Sequence, residues 1–162
     1  MTGRAWDAVA AVRDPEMPML TIADLGVLRD VEVDDGARLR VTITPTYLGC
    51  PALDVIRSDI RAAARAAGYP DVEVVTSLAP AWTTDRLSDK ARAVLSASGI
   101  APPARTGTET RRSLPLVDPA TPCPRCSSAD TEETAHFGPT ACTALRHCRQ
   151  CREPFQHMKE VR

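Results

Sequence analysis

Aromatic side chains are scarce. Phe, Trp and Tyr make up 4% of the 162 residues, so a core built from this chain must be mostly aliphatic. The apolar fraction of 43% is enough for such a core and too high for a disordered chain. Charge of one sign is also lacking. The formal net charge is −1, and Thr121 to Arg162 carries six Arg and Lys against five Asp and Glu. A nucleic-acid partner calls for a basic stripe, and none is present. No apolar run approaches the ~20 residues that span a bilayer. Met1 to Asp14 lacks the apolar core of a signal peptide, so the expectation is a cytoplasmic protein without a membrane segment. The chain also has no Walker loop, no GxGxxG, no HExxH and no GxSxG, which removes the enzyme classes those motifs serve.

Cysteine is present in a telling arrangement. Cys123-Pro124-Arg125-Cys126 and Cys148-Arg149-Gln150-Cys151 form two Cys-x-x-Cys knuckles separated by 21 residues. That spacing is just past the ~15–20 of the two-knuckle zinc template. In a reducing compartment, paired cysteines read as metal ligands before disulfides. Four thiolates close a tetrahedral site and leave no open position, so the metal supplies folding energy and not catalysis. Zn²⁺ is the expected ion; a single iron in the same sulfur cage is the alternative. Cys142 reads as a packed small residue, and His136, His147 and His157 as surface or strand residues.

Periodicity divides the rest. Trp6, Val9 and Val12 recur at helical spacing over Ala5 to Val12. Thr21 to Gly26 reads as a helical turn closed by glycine. Val27 to Val33 reads as a strand, Asp35-Gly36 as a hairpin turn, and Leu39, Val41 and Ile43 alternate on the return strand. Pro51 occupies the expected N1 of a helix with an apolar stripe of Leu53, Ile56, Ile60 and Ala63 or Ala64, ended by Gly68. Val72 to Leu78 alternates as a third strand. A last helix, roughly Ser88 to Ser98, follows a loop holding Trp82, with Thr84 or Asp85 as its cap and Gly99 as its stop. Trp82 reads as a core plug under the loop or as a binding residue. Five prolines between Ala101 and Pro122 mark a linker. Thr131 to Phe137, Thr140 to His147 and a segment around Phe155 read as ribbon strands. The expected fold class is α/β: a small α-β-β-α-β-α sheet domain over 1–101, a Pro-rich linker over 102–121, and an all-β zinc ribbon over 122–162.

Cys50 is the second thiol of interest. The pattern Gly49-Cys50-Pro51 places it at a helix N-cap, where the partial positive charge and unpaired N–H groups lower a thiol's pKa. Asp14, Glu16 and Asp24 lie in loops that can approach that helix end, and such loop carboxylates also serve as caps and turn residues.

Asp14-Pro15-Glu16, Asp24-Leu25-Gly26 and Thr44-Pro45-Thr46-Tyr47-Leu48-Gly49-Cys50-Pro51-Ala52, in that order, resemble the signature of the iron–sulfur assembly-factor family that includes SufT-like proteins. Pro80-Ala81-Trp82 is similar to that family's late loop. With the linker and the four-cysteine tail, the whole chain resembles the PaaD family of bacterial phenylacetyl-CoA epoxidase systems. The resemblance implies a non-enzymatic accessory factor that assists iron–sulfur or di-iron centre assembly in aerobic phenylacetate degradation. It implies partners among the oxygenase and the iron–sulfur reductase of that system. It puts the family's reactive cysteine on Cys50. A transient iron or cluster site would then use Cys50 with Asp24 or Glu16. One thiolate cannot hold a cluster alone, so either a homodimer supplies a second Cys50 or the client supplies ligands. A purely structural component that docks onto the oxygenase through its ribbon is the alternative; a thiol enzyme lacks a base near Cys50.

Overall fold

The alternation of Leu39, Val41 and Ile43 fixes the centre of the first sheet: all three are fully buried in the computed structural model of the chain. The structure describes residues 2–34, 38–47, 49, 51–105 and 121–161. Cys50, the Asp35-Gly36 turn and most of the Pro-rich stretch lie outside these residues.

The chain groups into two units, 1–82 with 86–91, and 83–85 with 92–162. In the first unit, α1 (Thr2–Ala10) precedes β1 (Leu28–Val33), β2 (Leu39–Ile43), α2 (Leu53–Ala66) and β3 (Val72–Thr76). The three strands form a sheet in that order, with β1 antiparallel and β3 parallel to β2. Parallel neighbours need a crossover, and α2 provides it. α2 packs on β3, and α1 packs on α2 and β1. Ile56, Ile60 and Ala64 form the buried stripe of α2, as the sequence pattern predicts. Its end is a Schellman motif: Gly68 takes φ +97°, the Tyr69 N–H donates to Ala64 O at 3.1 Å and the Gly68 N–H to Arg65 O at 3.0 Å.

Three local expectations change. The N-cap of α2 is Ala52, without a side-chain cap bond, so Pro51 precedes the helix and is not its N1. The buried face of α1 is Ala5 and Val9, with Val12 buried just past its end, and Trp6 is 39% exposed, because the i, i+4 stripe points away from Trp6. The cap of the last helix is Ser88, whose Oγ accepts the Ala91 N–H at 3.0 Å; Thr84–Arg86 instead form a separate 3-10 turn.

The unit division falls inside α3 (Asp89–Ala97). In the second unit, β4 (Ile100–Ala101), β5 (Thr131–Ala135), β6 (Thr143–Cys148) and β7 (Pro154–Met158) form a sheet of order β4-β7-β6-β5. β5, β6 and β7 pair antiparallel, and β4 adds to β7 in parallel. Residues 92–101, read from sequence as the end of the first domain, therefore group with the ribbon, through a pairing to a strand more than fifty residues later. Thr121 is buried in the same unit, and its carbonyl accepts the Thr131 hydroxyl at 2.8 Å. No described helix is long and apolar enough to cross a membrane.

Candidate metal centre and the acidic loops

Each knuckle is built by the same backbone turn. The Ser127 N–H donates to Cys123 O at 2.9 Å, and the Cys123 N–H to Ser128 O at 2.9 Å. The second knuckle repeats this: the Arg152 N–H donates to Cys148 O at 2.9 Å and the Cys148 N–H to Glu153 O at 3.0 Å. The residue after each second cysteine takes a left-handed conformation, φ 62° at both Ser127 and Arg152. A side chain there costs about 1–2 kcal/mol. Glycine would be the usual sequence signal for that turn, and its absence hid both positions.

The two turns aim four sulfurs at one point. The ligand atoms of Cys123, Cys126, Cys148 and Cys151 lie within 4.8 Å of one another. Across the knuckles, Cys123 and Cys151 Sγ are 3.7 Å apart, and Cys126 and Cys148 Sγ 3.6 Å. A tetrahedron with ~2.3 Å metal–sulfur bonds has edges of about 3.8 Å, so the donor set fits a tetrahedral thiophilic ion. Cys123 and Cys148 are buried with Ala101 and Phe155, and Cys151 packs against that cluster; Cys126 is exposed. This is a metal-binding site. A backbone N–H from Cys151 is the main influence holding the Cys148 thiol down to about 7, with the Gln150 N–H adding to it. Cys151 is pushed up to about 12: the Glu153 N–H lowers it, but burial and the other three sulfurs together outweigh that donor. Without a cation the four sulfurs cannot ionise together. Metal uptake therefore expels protons, and affinity falls as the pH falls.

Cys142 lies outside the four-sulfur cluster, with the Thr140 hydroxyl 3.2 Å from its sulfur. His147 leaves the cluster side, as strand alternation predicts, and its Nδ1 is 3.6 Å from Glu132 Oε1. Ion pairs flank the knuckles: Arg125 with Glu153, and Arg149 with Glu132 at 2.6 Å.

In the first unit, Asp24 is committed to its own loop and to α3. Its Oδ2 accepts the Thr21 N–H at 3.2 Å, the Thr21 hydroxyl at 2.9 Å and Lys90 Nζ at 3.1 Å. Burial raises its pKa most of any single influence, but the Lys90 ammonium and the Thr21 donors together hold it below the ordinary Asp value. The neighbouring residues clamp the same segment. Asp24 O accepts the Ser88 N–H at 3.1 Å, and Leu25 O accepts the Trp82 indole N–H at 2.9 Å. Trp82 is 3% exposed and plugs the core. Gly26, at φ +67°, sits so close to Arg86 that a Cβ would lie 2.7 Å from its carbonyl oxygen. Asp24-Leu25-Gly26 is thus a clasp for Trp82 and residues 86–90, a role its sequence did not announce.

Asp14 accepts the Glu16 and Met17 N–H groups at 2.9 and 2.8 Å and closes its loop. Glu16 is only partly buried, and burial together with the Asp14 charge raises its pKa. Of the three residues read as a transient site, Asp24 is engaged elsewhere, Glu16 is half-buried beside Asp14, and Cys50 lies outside the described residues.

Residues 107–159 match the PaaD zinc beta ribbon domain, and residues 4–76 match a family described as iron–sulfur cluster assembly protein. A protein of Escherichia coli (strain K12), provisionally named as one of the subunits of 1,2-phenylacetyl-CoA epoxidase, is 44% identical over 95% of this chain and 90% of its own length. The chain belongs to the PaaD family. The Fe–S protein maturation auxiliary factor YitW of Bacillus subtilis (strain 168) is 34% identical over 54% of this chain and 86% of that protein. A solved domain of unknown function, DUF59, from Bacillus anthracis shares 29% identity and a TM-score of 0.53 over 58% of this chain and 90% of its own. This PaaD-family chain thus joins a fold shared with maturation factors to a four-thiolate ribbon.

Proposed function

We propose that this PaaD-family chain is a non-catalytic accessory factor that assists metal-centre assembly in a multicomponent phenylacetyl-CoA epoxidase. The supporting observation is the near-full-length relationship to a protein named as part of that system, in a chain whose first half is related to named maturation factors. The four-cysteine site is read as holding Zn²⁺, since a closed thiolate set leaves no position for chemistry. Zinc staples the ribbon; the iron or cluster is cargo. Cys50 would be the transient thiolate ligand and Glu16 the carboxylate beside it, while Asp24 holds the segment around Trp82 and α3. The clients are the oxygenase and the iron–sulfur reductase, which complete the cargo's ligand set. The setting is the reducing cytoplasm, with neither nucleic acid nor membrane as partner.

The test is made in cells lacking the endogenous factor and supplied with wild type or Cys50→Ala, from which both clients are purified for metal analysis. The expected result is a client depleted of iron with Cys50→Ala, while the accessory protein keeps one zinc per chain. Full iron loading of both clients by Cys50→Ala overturns the reading. The alternative, a structural component that docks through the ribbon, draws on Phe137, which is 66% exposed beside the β5–β6 turn with Lys159 Nζ 4.2 Å over its ring. A stable stoichiometric complex with the oxygenase, lost on Phe137→Ala, distinguishes it.

A further inference from the structure

The first sheet has two edges, and they differ. β1 is blunted by an irregularity between Leu28 and Asp30 and carries Asp30 and Glu32. β3 keeps an unbroken register with β2 over all five residues and has no proline, lysine or bulge. Its one charge, Glu73, is paired with Arg40 of β2 at 3.2 Å, so the edge lacks the bulge, proline and lysine that commonly protect one. The flanking ladder bonds use odd-numbered residues of this strand: Leu39 N–H donates to Asp71 O, and Ser77 N–H to Ile43 O. In a parallel ladder the even residues then turn their N–H and C=O outward. Val72, Val74 and Thr76 therefore offer an open row of donors and acceptors, and β3 pairs with no described strand except β2.

A ladder of arginines runs beside that row. Arg57, Arg61 and Arg65 recur every four residues on α2. Arg57 Nη2 donates to Thr76 Oγ1 at 2.8 Å, which places this flank of the helix on the β3 side. Because α2 returns the chain between two parallel strands, it runs against β3, and Arg61 and Arg65 follow towards Val74 and Val72. Four helical residues rise ~6.0 Å, and two strand residues ~6.6 Å. The arginines thus step nearly in phase with alternate positions of a strand laid on the edge. Asp54 holds Arg57 at 3.0 Å; Arg61 and Arg65 have no acidic partner among the described residues. A second copy pairing through the same edge would bring arginine against arginine.

We propose that the β3 edge is a docking site for an extended segment of a partner protein that carries carboxylates at every second residue. Main-chain pairing to Val72, Val74 and Thr76 supplies affinity, and the Arg61 and Arg65 guanidiniums select the acidic side chains. The site rests on this geometry alone and not on the maturation reading.

The probe is a blocked seven-residue peptide alternating glutamate and valine, titrated into the metal-loaded full chain, with a lysine-for-glutamate peptide as control. The expected result is slowed amide exchange at Val72, Val74 and Thr76 with the acidic peptide only, weakening as salt rises. Arg61→Glu with Arg65→Glu should weaken binding by about tenfold or more without lowering the melting temperature. Arg61→Gln with Arg65→Gln should fall between. Absence of protection at those amides, equal binding of the lysine peptide, or undiminished binding by the double Glu variant overturns the proposal. So does protection that grows with protein concentration alone, which would mean that a second copy occupies the edge.

Discussion

Asp24 shows how one carboxylate can tie a three-residue motif to its surroundings. Its two hydroxyl and amide bonds from Thr21 close a turn, and Lys90 brings the start of α3 to the same oxygen. Lys90 is 71% exposed, so the ion pair itself contributes little, and the Thr21 bonds contribute more. A carboxylate whose pKa is lower folded than unfolded adds stability that is complete above its ordinary value and is lost as pH falls below it. Asp24→Asn is therefore expected to be less stable than the parent at pH 6 by roughly 1 kcal/mol, the deficit shrinking below about pH 4. Urea unfolding followed by the fluorescence of buried Trp82 at both pH values checks this. The sequence allowed Asp24 as a cap or a ligand; the approach of Lys90, 66 residues away, was not legible in it. The left-handed Ser127 and Arg152 were equally hidden, since neither is the residue type that such a backbone favours.

At the scale of elements, local pattern was the reliable guide. The alternation in β2, the stripe of α2 and the glycine stop at Gly68 were all legible because each depends on neighbours a few residues away. β4 was not: two residues in a proline-flanked stretch become a strand only because β7 offers them an edge. The knuckles were legible as a matched pair, and the structure brings their four sulfurs within 4.8 Å of one another. Loss of metal removes the point on which β6 and the first knuckle converge. Chelation at mildly acid pH is expected to collapse the amide dispersion of β5 to β7 while β1 to β3 keep their slow exchange, and added Zn²⁺ at neutral pH should restore the ribbon with release of protons. Amide spectra recorded across the titration report both units at once; a ribbon that keeps its dispersion without metal would contradict the stapling role.

For the molecule as a whole, the sequence correctly announced helices and sheet followed by a β part that holds the four cysteines. It drew the seam at a proline-rich stretch because composition changes there, whereas the structure divides the chain inside α3. A chain ending at residue 105 tests the difference. It is expected to keep the protected amides of β1 to β3 but to lose protection at Ile100 and Ala101, which have no β7 to pair with, and at Thr84, whose N–H donates to Val161 O at 3.0 Å. Retained protection at those three amides would restore the sequence boundary.

The parallel pairing of β4 with β7 also changes what the prolines after Ala101 can do. Ala101 is held opposite His157, and Thr121 is held by Thr131, so both ends of the stretch are moored to the same unit. A spacer between two bodies sets their reach and their effective concentration for one another. A segment whose two ends return to one body sets neither. Lengthening or shortening it should leave the range over which a client can be captured unchanged, and natural variation in its length need not track the size of any partner.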